Sequence, residues 1–505
     1  MLRQLAFPFL FILLALPALC LANGDNKPSS PNQSLRIELP SNSFDYTHSV
    51  LPLQDSALLL VTKKREVEVG KNDIIFTKYD RQLKSDWETK ALQLNNTRLL
   101  FLTEEKGFAY LLFDNLLSNT HLILYQIDTK TGSIKISDHS LGSSSAHIRD
   151  IQVLEGHLFL NAFYKGVLTT LILYPQESEI RILPVVMGLA KNLGEFRVDT
   201  LNKSLELLWS ESQGTSARLT TRFISAQGDM LGGYYINPKP VPIPGQLLWP
   251  ARISPGLTTQ KLFLGMYGYK TDEYVQGIYS INLQGEMRYF DFGKLRHFYE
   301  YRSSPAAALR MKSRALRNEA KGKAPIKQNR ITLDKIQPHP QGYALVGVLY
   351  KSMYKTETQE EKSGFLLAQT TRTTKHKIIH KYQHAIACVF DYNGNLLWDN
   401  SYKLTNNSRS NFGLGVKTAI TPEGNIIMTY IKDSEIFYKI VQPTSSSSNK
   451  VILQLHNTAE KRVISSQEDI QHWYGCNFIA FGFQRINSKT GPSRTVFYLQ
   501  QVAFE

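Results

Sequence analysis

The most constraining feature of this chain is a hairpin that keeps returning. In its clearest copy, Phe390-Asp391-Tyr392-Asn393-Gly394-Asn395-Leu396-Leu397-Trp398, a strand ends at an Asp and an Asn-Gly turn follows. The next strand carries a large ring seven residues after the Asp. Asp80 and Trp87 stand at the same spacing, as do Asn282 and Tyr289, with Gly285 in the turn. A second kind of turn alternates with the first. Gln54-Asp55-Ser56, Glu105-Lys106-Gly107, Glu155-Gly156, Pro340-Gln341-Gly342 and Pro422-Glu423-Gly424 each lead into an apolar run. Gly suits such positions because tight hairpin turns demand positive φ.

Between the turns lie runs of 5 to 8 residues rich in Leu, Ile, Phe, Tyr and Val. Helical periodicity is nearly absent, so the chain reads as all-β. Aligned on its turns it repeats every ~45 residues, the length of a four-stranded propeller blade. The expectation is an eight-bladed β-propeller, with seven blades as the alternative, and blades near 44–93, 97–141, 147–187, 195–238, 247–293, 330–404 and 412–456. The last repeat, 470–505, has room for three strands, and the lone alternating stretch Leu35–Leu39 can supply the fourth and close the ring. Closure would remove the free edges that invite aggregation.

Residues 1–22 read as a secretory signal peptide, with Arg3 ahead of an apolar run and a cleavage site after Ala22. That run is short of the ~20 residues a membrane span needs. Lipidation at Cys20 is disfavoured by the bulky Leu19 before it. Residues 23–34 read as a flexible leader and 35–505 as a single domain. Export would place the protein in the periplasm, at the outer membrane or outside the cell, which argues against a nucleic-acid partner. Only Cys388 and Cys476 remain after cleavage, too few for a disulfide scaffold; an oxidising periplasm would allow them to pair, but they lie 88 residues apart and both sit in apolar contexts that suit buried thiols.

The blade rhythm breaks in one region. Residues 296–330 hold ten Lys or Arg against two Glu, and 369–384 add four basic groups and no acid, so these segments carry +12 of the +14 left once Arg3 is removed. Ser304 and Pro305 start a helix signal, with Gly322 as its stop. Leu309 and Leu316 are expected on one apolar face with Ala308, Met311 and Ala315 beside them. The second excursion, 351–384, is hydrophilic and Thr-rich, and lengthens a connection within the following blade. Clustered charge of this kind attracts acidic or anionic partners. The candidate docking residues are Arg302, Arg310, Lys312, Arg314, Arg317, Lys321, Lys323, Arg372, Lys375 and Lys377.

The Asp, Gly and Trp at 391, 394 and 398 resemble the blade signature of quinoprotein-type (pyrroloquinoline quinone) propellers. The resemblance implies a bracing Asp and a ring packed between blades. An active quinoprotein also needs a cofactor cradle and calcium ligands, which cannot be placed here, so no cofactor is assigned. His376, His380 and His384 recur every four residues; in a strand they would share one face, beside Lys and Arg that oppose metal binding. No nucleophile elbow, zinc-protease motif or phosphate loop occurs. Acidic residues on inner strands look scarce.

These readings favour a non-catalytic exported scaffold that docks a protein partner through its basic insertions. The alternatives are a carbohydrate-binding, hydrolytic or quinoprotein-type propeller working through the central channel, or a subunit that caps or plugs an outer-membrane assembly. The regular hairpin at 390–398 is expected to anchor the irregular region beside it.

Overall fold

The structure, a computed structural model, describes residues 30–504 except 69–70, 95, 118–119, 143, 184–192, 214–215, 241–245, 270–273, 303, 322–329, 364–368, 406, 411, 445, 458–459 and 489–491. The signal-peptide reading, Gly322 and Lys323 therefore lie outside the described residues.

Eight antiparallel sheets follow one another along the chain, and each is one blade. Blade one runs through Tyr46–Pro52, Leu58–Glu68, Lys71–Tyr79 and Ser85–Leu94, paired in that order from the channel outward. Blades two to seven span 97–140, 146–183, 193–236, 246–291, 330–409 and 417–452. Blade eight takes Glu460–Tyr474, Asn477–Ser488 and Arg494–Ala503 from the end of the chain, and Arg36–Pro40 from its beginning as the outermost strand. That closing strand pairs Arg36 with Gln500 through Pro40 with Val496. The path is tied down before it: Asn32 exchanges backbone hydrogen bonds with Ala503 at 2.8 and 2.9 Å, and Gln33 is buried.

The second strands explain why the sequence shows unbroken apolar runs rather than alternation. Ala109–Phe113, Leu158–Leu160 and Leu58–Val61 are buried along their length, because each blade is covered on both faces by its neighbours. The core accordingly lies between blades. Eight apolar clusters each bridge one pair of neighbours. Leu111 and Phe113 meet Leu59 and Phe76 across the first junction, and Trp473 and Phe497 meet Val50 and Leu60 across the last.

Because each blade is a four-stranded meander, its connections alternate between the two ends of the ring. Links between blades, and between second and third strands, emerge at one end. Turns between first and second, and between third and fourth strands, emerge at the other. The hairpin at 390–398 belongs to this second end, so it does not anchor the basic insertions, both of which leave from the first. A strand reverses direction at every turn, and proximity in sequence did not reveal which end a segment reaches.

The hairpin itself is a brace. Asp391 Oδ1 accepts from the Asn393 and Asn395 amides at 2.9 and 2.8 Å, and its Oδ2 from the Asn395 side chain at 2.7 Å. Burial works to raise the Asp391 carboxyl, but these bonds outweigh it and hold the group below its ordinary range. Gly394 sits at φ +80° with its carbonyl accepting from Ser280 Oγ of blade five at 2.7 Å, and a Cβ there would strike Leu262 and Ser280 at 2.9 Å. Asp80 does the same work for the Gln82 and Lys84 amides. Trp87 lies against Gly132 of blade two and donates to the Thr129 carbonyl at 3.1 Å. Gly285, at φ +83°, abuts the Asn237 carbonyl of blade four, and Tyr289 packs edge-on to Tyr267. Trp398 donates to Gln341 and packs near His339. Asp391→Ala should therefore cost about 1–2 kcal/mol in denaturant unfolding, with no change in the slope of the transition.

Candidate functional site

The first end of the ring is where the chain departs from a plain propeller. After blade five, residues 292–302 run back along the outer strand of blade six. Asp399 accepts from the Arg296 and His297 amides, both at 2.8 Å, and Ser401 Oγ donates to the His297 carbonyl at 2.8 Å. Phe292, Leu295 and Phe298 complete the apolar cluster between these blades. Tyr301 then stacks on the buried His384 ring at 3.9 Å between centroids. The two insertions thus touch at their roots.

Helix α1, Pro305–Ala320, follows. Ser304 Oγ accepts from the Ala307 amide at 3.2 Å, which caps the first turn. The helix rests on the preceding segment through the side holding Ala308, Met311, Lys312 and Ala315. Ala315 comes close to Gly293, and Lys312 Nζ donates to the Leu295 carbonyl at 3.1 Å. One expectation shifts: Leu309 and Leu316, 67% and 40% exposed, lie outside the packed face, while Lys312 ties down the root of the helix. Small Ala side chains let the helix approach its support, so the contact forms through them and leaves the leucines on the edge. Arg310, Arg314 and Arg317 look outward, and Lys321 is exposed. Arg302 lies over the Tyr301 ring at 5.7 Å.

The second insertion is an arm. The two middle strands of blade six, Gly342–Ser363 and Gln369–Phe390, are each 22 residues long and pair through to Ser363 and Gln369. Their β-branched and aromatic content suits a strand, and makes a ribbon of what composition suggested was a polar connection. Among the described residues only Ser408–Arg409 adds a third strand there, against His380 and Lys381. Past that point eleven residues on each side form a two-stranded ribbon, which at ~3.3 Å per residue reaches roughly 35 Å.

Register decides what the arm presents. Lys351 is paired with Lys381 and Lys355 with Lys377, so two like-charged pairs lie directly opposite on one face, all four exposed. Direct opposition of like charges destabilises a ribbon. Sequence reasoning named Lys377 but missed Lys351, Lys355 and Lys381, which become a set only once the pairing is known. Arg372 and Lys375 pair with Glu360 and Glu357, which places them in the outer arm opposite acids. The three histidines do not share a face. A one-residue bulge at Gln383, between the Leu349–His384 and Tyr350–Tyr382 pairs, turns His384 inward while His380 stays with Ser352, Tyr350 and Phe412. Among the described residues no cluster of three His, Cys, Asp or Glu could hold a metal. Cys388 and Cys476 are both free thiols and belong to different inter-blade clusters.

The same end of the ring opens into a cavity of about 770 Å³ between the inner strands of blades three, four and five. Two of the scarce inner-strand acids stand in its wall. Asp150 and Glu195 both line it, with Arg149, Arg252, Trp249 and Phe412. Bulges at Arg149 and Gly194 re-aim these strands. Gly194 is required there, since a Cβ would fall 2.6 Å from the Ala251 carbonyl. Phe412 also packs on Tyr350 and His380, so the root of the arm forms part of the cavity wall.

The architecture defines the class: an eight-bladed β-propeller. No protein-family model and no curated protein sequence matches the chain. Among solved structures it is similar to polysaccharide lyase Uly1, at 11% identity and a TM-score of 0.37, over 80% of this chain and 89% of that one. It is also similar to Kluyveromyces lactis Hsv2, at 11% identity and 0.42, over 81% and 100%. A third is a Synechocystis apocarotenoid oxygenase, at 9% identity and 0.29, over 51% and 64%. These are likenesses of fold, and no chemistry carries over from them.

Proposed function

We propose that this protein is an exported, non-catalytic propeller of the cell envelope that docks an acidic protein partner through the arm and helix α1. The opposed lysines carry this reading. A ribbon that places Lys351 against Lys381 gives up stability of its own, Lys355 and Lys377 extend the same basic face, and an acidic partner seated there would return it. The outward arginines of α1 stand at the same end of the ring, so one partner can meet both. The blade turns that resemble quinoproteins support an architectural role, since the Asp391 carboxylate is committed to its own turn.

Reversing the four lysines to Glu in the full chain should lower partner affinity at least tenfold while the melting temperature holds, since like charges still oppose one another. Binding by the unaltered protein should weaken steadily between low and physiological salt. Partners identified by cross-linking in envelope fractions and still bound after the reversal would defeat the proposal. Equal affinity for bare phosphatidylglycerol vesicles would redirect it to a membrane surface.

A further inference from the structure

The cavity between blades three, four and five is lined by polar, charged and aromatic side chains. Some of these groups are committed to the wall and others keep capacity for a further contact. Arg252 is spent: it donates to the Gly194 carbonyl at 2.6 Å and the Leu333 carbonyl at 3.0 Å, and pairs with Glu195 at 3.5 Å. Glu195 in turn accepts from the Ile253 amide at 3.2 Å. These two lock the neighbouring inner strands together and fix the wall.

The remaining groups point to a chemistry. Ser210 is 7% exposed and its hydroxyl oxygen is itself shielded from solvent, so it shapes the cavity wall rather than meeting a ligand. Asn161, also buried, adds an amide with both donor and acceptor capacity. Asp150 accepts from the Ile151 amide at 2.8 Å and is hydrogen-bonded with the Gln152 side chain, and burial pushes its carboxyl above the ordinary range despite those bonds and the nearby Lys335 and Arg252 charges. Arg149, displaced by its bulge, is exposed and makes no ion pair among the described residues; its guanidinium lies over the Phe163 ring at 5.4 Å, which leaves its N–H fork available. Trp249 and Phe412 supply aromatic surface.

Hydroxyl-matching groups beside aromatic rings are the recognition set for a sugar, and an unspent guanidinium is the set for an anion. We infer that this cavity binds an anionic saccharide, a sugar carrying a carboxylate or sulfate that meets Arg149 while its hydroxyls meet Asn161 and Asp150. Its volume lies within the roughly 300–1,000 Å³ typical of small-ligand sites. The inference is independent of the docking face, since none of its polar groups belongs to the arm or helix.

Calorimetric titration of the full chain with digalacturonate, galactose 6-sulfate, lactose and inorganic sulfate tests it. One or both acidic sugars should bind, with lactose at least tenfold weaker. Arg149→Gln should remove that preference and Arg149→Lys restore part of it, while Asn161→Ala weakens acidic and neutral sugars alike. The two acidic sugars separate carboxylate from sulfate recognition. No binding of either at millimolar concentration, equal binding of lactose with indifference to Arg149→Gln, or equal binding of inorganic sulfate would each overturn the inference. Arg149 is exposed, so its variants are expected to fold, and unchanged thermal melts confirm it. Partner docking in the Arg149 variants should match the unaltered protein, which separates the two readings.

Discussion

Replacing Lys261 by methionine is expected to destabilise the ring by about 3–5 kcal/mol, because it strands buried carboxylates. Lys261 is fully buried between blades four and five, where its ammonium meets Asp199 at 2.7 Å and Glu206 at 3.0 Å. Arg197 adds a second cation, 2.7 Å from Glu206. Two cations balance two anions in a region water does not reach. Burial alone would raise both carboxyls. For Glu206 it does so despite its two cations, whereas for Asp199 the Lys261 and Asn202 contacts win and hold the group at about 2. The sign follows from that depression. Ionised Asp199 contributes fully above its unfolded range, and the contribution fades as pH falls toward 2. The gap between the unaltered chain and Lys261→Met, read from denaturant midpoints, should therefore narrow as pH falls from 7 to 3. Adding Asp199→Asn should recover part of the loss by restoring charge balance. A double variant no better than the single would show that the cost is lost packing rather than stranded charge.

Removing the closing strand should have the other large effect. A chain starting at Asn42 leaves Arg494–Ala503 as a ten-residue open edge, and such edges pair with whatever strand they meet. It also loses Arg36, whose guanidinium donates to Gln500 at 2.8 Å and to Gln484 at 2.7 Å, both fully buried. Each stranded amide costs about 1–3 kcal/mol, and the apolar contacts of Leu35, Ile37 and Leu39 are lost with it. Size-exclusion chromatography should show dimers or larger species at micromolar concentration, and a peptide covering 30–40 should return the monomer by taking the vacant place. A truncated chain that stays monomeric and melts like the full one would mean that closure contributes nothing.

What could be read in the sequence was what short-range chemistry decides. Asp391, Gly394 and Gly285 announce their turns because the turn geometry needs those residues, and turns at regular spacing count out the blades. Ser304 announced the helix start for the same reason. The lone strand at 35–39 stood out because the last repeat lacked a partner. The rest depends on pairing. The bulge at Gln383 has no local signature, yet it separates His384 from His380. The lysines at 351, 355, 377 and 381 form two pairs only in register. Arg149, Asp150, Glu195 and Trp249 come from three blades, far apart in the chain, and meet only because inner strands converge on one axis.

The closing pair has a practical corollary. Asn32 and Ala503 lie side by side, at the end of the ring where the blade turns gather. Both ends of the described chain therefore leave on the side away from the arm. A dye, affinity handle or surface linker attached at either end would hold the molecule by its back, with the lysine face and the mouth of the cavity turned outward. Immobilised in that orientation, the protein can be offered partners and sugars together on one sensor surface, with neither approach obstructed by the attachment.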